Sequence, residues 1–337
     1  MSLVKKVQNT VFQQELFKRG DKIILAVSGG PDSVCLLDTF AKLQKKYSLE
    51  LLIAHVNYGL RGKDSDKDEQ LVRELGEKYG IRISVLNAFT TPPSRPSSTT
   101  PPQPSPEYRG GGGNALSENA LRDVRYDFFE KLRAENKFDL IAVAHNADDQ
   151  VETFLMRVIR GAGLQGLAAM QFKNNFLIRP LLAESRAEII DYLKENKLAY
   201  RIDKTNLKND FLRNKIRNKL LPYLEKDYNP NIRKTLFTEI QAIAADYAFI
   251  ASSAKATMPV KATLKVSRVM SLHPALQKQV LRNALSCVKA DLKDIEAAHI
   301  EEIIKILKST KNKHQLVSFK GLKVTRKGDK LEISCKS

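Results

Sequence analysis

The sequence predicts an α/β protein: a doubly wound parallel sheet followed by a smaller, basic C-terminal domain of helical or α+β type. Three observations carry this prediction. Apolar runs rich in β-branched residues alternate with helical segments over residues 4–159, as expected for parallel strands joined by helices. A glycine-rich turn links the first strand to the next helix, as in folds that bind an anion at a helix N-terminus. Lys and Arg concentrate near the C-terminus.

The elements of the predicted sheet follow one another in a regular order. They are helix 4–19, strand 23–27, helix 34–46, strand 51–56, helix 65–79, strand 81–86, helix 114–134, strand 140–144 and helix 148–159. Ligands of such sheets bind beyond the carboxyl ends of the strands. The glycine-rich turn, His55 and His145 all fall at predicted strand ends, so we expect them to share one site.

The second half of the chain is predicted to be mainly helical. Its elements are helix 185–196, a basic helical stretch 210–224, a break at 227–230, helices 231–255, 274–289 and 292–308, and a hairpin of strands 315–319 and 322–334. We therefore expect three parts: a catalytic domain over 1–210, basic connector helices over 211–255 and a C-terminal domain over 256–337.

Composition limits the class of protein. The chain has 337 residues, 42% of them hydrophobic, which is enough for two or three cores. It holds no apolar run of about 18 residues and no signal-peptide pattern at the N-terminus, so we expect no membrane association. Cys35, Cys287 and Cys335 are scattered, which indicates a reducing, cytoplasmic setting and argues against a zinc or iron–sulfur site.

The charge balance points to a polyanionic partner. The net charge is +18, and residues 305–336 hold ten Lys or Arg against two acids, so nucleic acid is the simplest partner. Lys320 and Lys323 lie in this run. A solvated basic surface is the alternative. The absence of Trp argues against a platform that stacks single-stranded bases.

The stretch 90–113 interrupts the alternating pattern. It holds seven prolines and ends in four consecutive glycines, so it cannot form a packed core and is predicted to be a flexible loop. Its ends place it at one edge of the expected site. A tolerated insertion is favoured over a lid or an arm that touches RNA.

The turn after strand 23–27 reads Ser28-Gly29-Gly30-Pro31-Asp32-Ser33. Glycines let backbone N–H groups approach a phosphate, the Ser28 and Ser33 hydroxyls can donate to its oxygens, and Asp32 could hold Mg²⁺. No Lys-Ser or Lys-Thr follows, so this is not a Walker A loop. The turn resembles the signature of the PP-loop ATP pyrophosphatases, a Rossmann-like fold. An ordinary turn with Ser28 or Asp32 as a helix cap is the alternative.

A second polar segment, His145–Thr153, begins where strand 140–144 ends. Asp149 and Glu152 lie three residues apart and share a face of the helix, where they could bind an ammonium group or Mg²⁺, or serve only as capping residues. His145 could contact phosphate or move a proton. The glycines at 161–166 follow a helix rather than a strand, so they do not predict a dinucleotide site.

Several motifs occur together in a fixed order. They are the PP-loop, 55–61, 119–126, 145–153, 160–167, 179–182, 203–206 and 213–217. This series resembles the tRNA(Ile)-lysidine synthetase family over about residues 20–220, and the basic C-terminal part is similar to the substrate-binding domain of that family.

The resemblance implies a two-step reaction that uses ATP and Mg²⁺. ATP adenylates the carbon-2 oxygen of the wobble cytidine in an isoleucine tRNA with a CAU anticodon, and the side-chain amine of free L-lysine then displaces AMP. The implied catalytic residues are Asp32, Arg125, His145, Asp149 and Glu152, with Asp149 and Glu152 recognising lysine. The implied ATP-binding residues are Ser28, Gly29, Gly30, Pro31, Asp32, Ser33 and His55, with Asp32 as the Mg²⁺ ligand.

We assign the tRNA contacts to six basic positions. They are Arg61, Arg122, Arg213, Arg217, Lys320 and Lys323. Arg122 and Arg125 lie three apart on one helix face, so either could bind RNA phosphate. The oligomeric state is left open, with a homodimer among the options.

The chain departs from the family pattern at three places. Tyr58 stands where the family usually has His, 90–113 is longer than expected, and we expect the further C-terminal domain of the longer members to be missing. A tRNA thiolase of the same fold is an alternative, but it needs catalytic cysteines or a C-x-x-C pair. A small-molecule ligase would have little need of the +18 charge. A non-catalytic RNA-binding protein would not need the intact acidic residues.

Overall fold

The computed structural model describes residues 1–60, 62–88, 118–202, 212–257, 261–289, 292, 295–310 and 314–336. The chain divides into two compact units: one comprises residues 1–156 and 170–233, the other 157–169 and 234–337. The predicted insertion 90–113, Arg61 and the motif 203–206 lie outside the described residues. The domain boundaries predicted at 210 and 255 stay predictions.

The first unit is built on a six-stranded sheet. Its strands are β1 (Lys22–Ala26), β2 (Glu50–Asn57), β3 (Arg82–Asn87), β4 (Leu140–Ala142), β5 (Lys173–Asn174) and β6 (Leu177–Ile178), in the spatial order β3-β2-β1-β4-β6-β5. All neighbouring strands are parallel except β5 and β6, which form a hairpin at the edge. The doubly wound parallel sheet predicted from the sequence is therefore confirmed.

Helices join the strands of this sheet. They are α1 (Leu3–Gln13), α2 (Pro31–Tyr47), α3 (Lys63–Tyr79), α4 (Glu118–Glu135), α5 (Ala147–Ile159) and, after the short α6 (Leu164–Leu167), α7 (Arg186–Glu195). Alternate residues of β1 belong to different cores: Ile23 and Leu25 pack in a cluster with Phe40 of α2, whereas Ile24 packs with Phe129 of α4. Since successive strand residues face opposite sides, helices cover both faces of the sheet.

The basic stretch after residue 211 is helical but irregular. It consists of α8 (Leu212–Lys215), a π-helical turn (Ile216–Leu220) and α9 (Leu221–Asp227), and it is followed by the long α10 (Ile232–Thr257). Among the described residues, no helix is both long and apolar enough to cross a membrane.

The second unit contains a small antiparallel sheet beside helices. Its further elements are β7 (Thr263–Lys265), α11 (Val266–Met270), α12 (Pro274–Ser286), α13 (Ala297–Lys308), β8 (Gln315–Phe319), β9 (Leu322–Lys327) and β10 (Lys330–Cys335), with the strand order β7-β10-β9-β8. The core of this unit contains Leu281, Ile303 and Val324. The predicted C-terminal α+β domain thus has a hydrophobic core of its own.

Three details of the predicted elements were wrong. The strand predicted over 322–334 is two strands, because Gly328 takes a left-handed conformation (φ 55°) and reverses the chain. The predicted helix 4–19 ends at Gln13, and the predicted helix 292–308 begins at Ala297. The strands β5, β6 and β7 were not predicted, because a strand of two or three residues is too short to show an alternation of apolar and polar residues.

Candidate active site

The PP-loop connects β1 to α2 and holds a fixed shape through its own hydroxyl groups. The Ser28 N–H donates to Ser33 Oγ at 3.1 Å, and Ser33 Oγ donates to the Gly30 carbonyl at 2.9 Å. Gly29 has φ 84°, which a residue with a side chain adopts only with strain, and its carbonyl accepts from the Arg201 N–H at 3.0 Å. The loop therefore presents hydroxyl and N–H groups at the start of α2 without rearrangement.

A cavity of about 210 Å³ opens beside this loop. Its wall includes Ser28, Asp32, Ser33, Tyr58, Arg125 and His145. The structure thus brings the predicted phosphate-binding serines, the predicted Mg²⁺ ligand and two predicted catalytic residues to one space. The Tyr58 hydroxyl donates to the Leu121 carbonyl at 2.8 Å, so this phenol joins the end of β2 to α4 at the cavity wall.

Asp32 lies in the first turn of α2 and is held by two partners. Asn146 Nδ2 donates to Oδ1 at 3.0 Å, and Arg186 Nη1 donates to Oδ2 at 2.8 Å. Burial raises the pKa of the Asp32 carboxyl; Arg186 opposes this, and the nearby charge of Asp149 adds to it. The charge of Asp149 therefore acts on Asp32, and both carboxylates belong to one electrostatic site.

The residues around Asp32 can be tested for their fit to Mg²⁺. The described residues hold no group of three His, Cys, Asp or Glu side chains arranged for a metal ion. Mg²⁺ commonly binds one or two carboxylates together with substrate phosphates rather than a full protein cage. A single carboxylate beside a phosphate-binding loop fits that donor set, so Asp32 is a suitable ligand once a triphosphate is bound.

The predicted acidic pair is bound by two arginines of the irregular helical stretch. Glu152 Oε1 accepts from Arg217 Nε at 2.6 Å, and Oε2 accepts from Arg213 Nε at 2.8 Å and Arg217 Nη2 at 2.9 Å. Asp149 Oδ1 accepts from Arg213 Nη2 at 2.8 Å. The Glu152 side chain is fully buried and that of Asp149 is 17% exposed. The two carboxylates and two guanidinium groups therefore form one compact network.

His145 follows β4 and faces a cationic environment. Burial, followed by the charges of Arg179, Arg213, Arg122 and Arg125, lowers the pKa of the imidazole well below its ordinary value. Arg179 Nε donates to His145 Nδ1 at 3.3 Å. A neutral imidazole that accepts at Nδ1 carries its proton on Nε2, so His145 is set up as a hydrogen-bond donor rather than as a cation.

Other predicted residues lie in different surroundings. His55 belongs to β2 itself and is buried; its Nδ1 lies 2.8 Å from the Val27 carbonyl, and it does not line the cavity. Arg122 is exposed on α4, with its guanidinium 5.1 Å from the centre of the Tyr126 ring. The ATP contact predicted for His55 and the RNA contact predicted for Arg122 stay predictions.

Four of the six basic residues predicted to bind tRNA fall into two groups. Arg213 and Arg217 are bound to the acidic pair, as described above. Lys320 and Lys323 belong to the second unit and are exposed on the hairpin of β8 and β9. Lys320 and Lys323, like Arg122, have the exposure that a contact with an RNA backbone requires. The assignment of all six residues stays a prediction.

Three residues of the site were not singled out from the sequence. Asn146 and Arg179 lie inside the motifs 145–153 and 179–182 that the sequence did reveal, so membership of those motifs was a usable signal. Arg186 lies inside a capping box made by Ser185 and Glu188, which predicts only a helix start. Nothing local indicates that Arg186 meets Asp32, which is 154 residues away in sequence.

Comparisons with known proteins identify a family for each of the two parts of the chain. Residues 2–224 match the PP-loop domain family, and residues 264–332 match the TilS substrate-binding domain family. The tRNA(Ile)-lysidine synthase of Clostridium tetani (strain Massachusetts / E88) is 35% identical over 319 residues, covering 92% of this chain and 65% of that protein. That of Clostridioides difficile (strain 630) is 34% identical over 338 residues, covering 98% and 70%.

A solved structure is similar in fold. It is a U34-tRNA thiolase from Methanococcus maripaludis with its 4Fe-4S cluster, with a TM-score of 0.55 and 19% identity, covering 72% of this chain and 77% of that chain. At this identity the likeness concerns the fold alone. The chain spans 65% of the length of the Clostridium tetani relative.

Proposed function

The chain belongs to the tRNA(Ile)-lysidine synthase family, and on that premise we propose that it ligates free L-lysine to carbon 2 of the wobble cytidine of an isoleucine tRNA with a CAU anticodon. The observation that carries the proposal is the meeting of a preformed phosphate loop, Asp32, Arg125 and His145 around one cavity, with the charge of Asp149 acting on Asp32 from nearby. ATP supplies the energy by conversion to AMP and pyrophosphate.

In the first step, the carbon-2 oxygen of cytidine attacks the α-phosphorus of ATP. The bond between the α- and β-phosphates breaks and pyrophosphate leaves. Ser28, Ser33 and the N–H groups at the start of α2 bind phosphate oxygens, and Arg125 at the cavity wall balances the negative charge that develops. Asp32 would hold Mg²⁺ together with the triphosphate, and the ion would supply positive charge to the phosphates.

In the second step, the side-chain nitrogen of lysine attacks carbon 2 of the adenylated cytidine. A carbon–nitrogen bond forms, the carbon–oxygen bond breaks, AMP leaves with the oxygen, and the neutral amine gives up one proton. We assign the recognition of lysine to Asp149 and Glu152, whose carboxylates are paired with Arg213 and Arg217 before lysine binds. The neutral His145 donates from Nε2 to an oxygen of the leaving AMP or of its precursor.

Basic side chains bind the tRNA through its phosphates. Lys320 and Lys323 on the second unit, together with Arg61 and Arg122, supply contacts to backbone phosphates. We place the reaction in the cytoplasm, where tRNA, ATP and lysine are available. A homodimer is an expectation that the two-unit chain neither requires nor opposes.

A labelled-lysine assay tests the proposal. The chain is incubated with unmodified isoleucine tRNA bearing CAU, ATP, Mg²⁺ and radiolabelled L-lysine, and label in the tRNA is measured together with released pyrophosphate. We expect label only when all components are present, and none with a tRNA in which the wobble cytidine is replaced by uridine. Pyrophosphate release without label transfer would contradict the lysine step.

A further inference from the structure

We propose that Arg186 is the counter-ion that keeps a divalent cation off Asp32 until ATP is bound. In the nucleotide-free chain the guanidinium occupies the carboxylate, and a bound triphosphate draws it away so that the cation can enter. This inference rests on the proposed function, since it takes Asp32 as the Mg²⁺ ligand, and it adds a residue that sets the order in which nucleotide and metal bind.

The two oxygens of Asp32 are held in different ways. Oδ1 accepts from Asn146 Nδ2 at 3.0 Å, and Asn146 is only 2% exposed and is itself fixed, because its Oδ1 accepts from the Asp149 N–H at 3.0 Å. Oδ2 accepts from Arg186 Nη1 at 2.8 Å, and the Arg186 side chain is 40% exposed. One oxygen is therefore held from the interior, and the other is held by a side chain that reaches solvent.

The contact with Arg186 can be exchanged without moving the backbone. The Arg186 N–H donates to Asp148 Oδ2 at 2.8 Å, and the residue follows the N-cap Ser185, so the start of α7 is fixed. Within the described parts of the chain, Asp32 is the one carboxylate that the Arg186 guanidinium pairs with. A rotation of the side chain alone therefore frees Asp32 and places the guanidinium in water, where it needs no new protein partner.

The charge around Asp32 decides when a cation can replace the guanidinium. The charge of Asp149 also acts on Asp32, so the place attracts cations, and Arg186 already supplies one positive charge there. A bare Mg²⁺ would have to displace Arg186, although no described group of three His, Cys, Asp or Glu side chains is arranged to hold it. A triphosphate supplies the missing oxygen ligands and gives the guanidinium an anionic partner. The exchange therefore becomes favourable with the nucleotide.

The same exchange assists the release of product. When pyrophosphate leaves together with the cation, Asp32 would remain as a largely buried carboxylate without a charged partner, which is unfavourable. The return of Arg186 to Oδ2 removes that penalty. Arg186 thus acts on the metal site before and after the chemical step.

The test measures metal binding to the nucleotide-free full chain, with Mn²⁺ as the probe. Free Mn²⁺ is followed by electron paramagnetic resonance in the parent and in Arg186→Met, which keeps the backbone contact with Asp148. We expect Arg186→Met to bind one Mn²⁺ at least about 10-fold more tightly than the parent, because the cation no longer has to break a charged hydrogen bond. Saturating α,β-methylene-ATP should remove this difference, and a difference that persists would show that the triphosphate does not release Arg186.

Two further variants locate the effect. In Arg186→Met combined with Asp32→Asn, the gain in Mn²⁺ affinity should disappear, because the amide offers no negative charge. Arg82→Met is the matched control, since it also removes one guanidinium from the first unit, at an exposed position on β3 that lies 3.7 Å from Glu50. This control should bind Mn²⁺ as the parent does.

A comparison that needs no change at Arg186 guards against a variant that fails to fold. If Arg186 blocks Asp32, then Asp32→Asn alone should leave the Mn²⁺ affinity of the nucleotide-free chain unchanged. A clear fall in affinity would mean that Asp32 is already open to a cation, and the proposal would be overturned. It would equally be overturned if Arg186→Met bound Mn²⁺ no more tightly than the parent.

These outcomes are independent of the proposed function. The Mn²⁺ measurements use neither tRNA nor lysine, so they decide the role of Arg186 by themselves. If they fail while labelled lysine is still transferred to tRNA, the role of Arg186 is overturned and the proposed function stands. If the parent transfers no lysine, the proposed function fails, whatever the Mn²⁺ affinities are.

Discussion

The two compact units use positive charge in opposite ways. In the first, Arg186, Arg213 and Arg217 donate to Asp32, Asp149 or Glu152 at 2.6–2.9 Å in partly buried places. In the second, Lys320 and Lys323 are exposed on a hairpin. Paired, desolvated charges fix geometry and respond little to salt, whereas exposed charges attract a polyanion at long range and are screened. The net charge of +18 therefore combines two functions that experiments can separate.

The largest effect is expected for Asp32 in the first unit. Asp32→Ala removes the carboxylate that would hold Mg²⁺ and should lower tRNA-dependent pyrophosphate release by at least about 10³-fold, with tRNA affinity nearly unchanged. Asp191→Ala, an exposed acid on α7, is the control. Activity within about 10-fold of the parent, equal to about 1.4 kcal/mol of barrier, would exclude the assignment.

The next effect concerns stability at the arginine network. Glu152→Gln leaves two guanidinium groups with Asp149 as their remaining carboxylate partner, so we expect the free energy of unfolding to fall by about 3 kcal/mol. Glu130→Gln, which disrupts the partly exposed pair with Arg133 at 2.7 Å, should cost less than about 1 kcal/mol. Urea unfolding of both variants measures the contrast, and equal losses would show that burial of the network adds nothing.

Glu184 is a buried acid of the first unit, and burial outweighs the charge of its cationic neighbour. Burial raises the pKa of the Glu184 carboxyl to about 7. The folded chain holds this proton more tightly than the unfolded chain does, so stability falls as the pH rises from about 4.5 to about 7.

Replacing this acid by its amide should remove that fall. Glu184→Gln should be more stable than the parent by about 1 to 3 kcal/mol at pH 8 and should lose this advantage near pH 4.5. Thermal unfolding at the two pH values checks the change. A difference that does not vary with pH would refute it, and Glu195→Gln on the end of α7 serves as the control.

The smallest effect is expected in the second unit. Replacing Lys320 and Lys323 together by Gln should lower the slope of log affinity for tRNA against log salt by about 0.7 to 0.9 for each lost phosphate contact. The melting temperature should not change. An unchanged slope would mean that the tRNA is held by other residues and that this hairpin carries solvated charge alone.

The fold could be predicted because its signals are local. Apolar periodicity and glycine-rich turns lie within a few residues of the elements they specify, so β1, α2 and β2 were placed to within a few residues. The strands of two or three residues, such as β5 and β7, owe their existence to pairing with a neighbour. No pattern within the segment itself could reveal them.

The site could be predicted only in part, for the same reason. Motifs located the PP-loop, His145 and the acidic pair. They could not show that Arg213 and Arg217 would meet that pair, since guanidinium groups in a basic helix equally suit an RNA backbone. They also could not show that β2 continues to Asn57, which leaves His55 within the strand instead of at its end.

The long sequence separations within the site have a consequence for synthesis on the ribosome. Asp32 needs Asn146 and Arg186, Glu152 needs Arg213 and Arg217, and Asp148 accepts from Arg233 at 2.6 Å. A nascent chain can fold β1, α2 and β2 early, but it cannot neutralise Glu152 until residue 217 has left the exit tunnel. The last event in building the first unit is therefore the arrival of its arginines, and until then the emerging chain has an acidic pair without its partners.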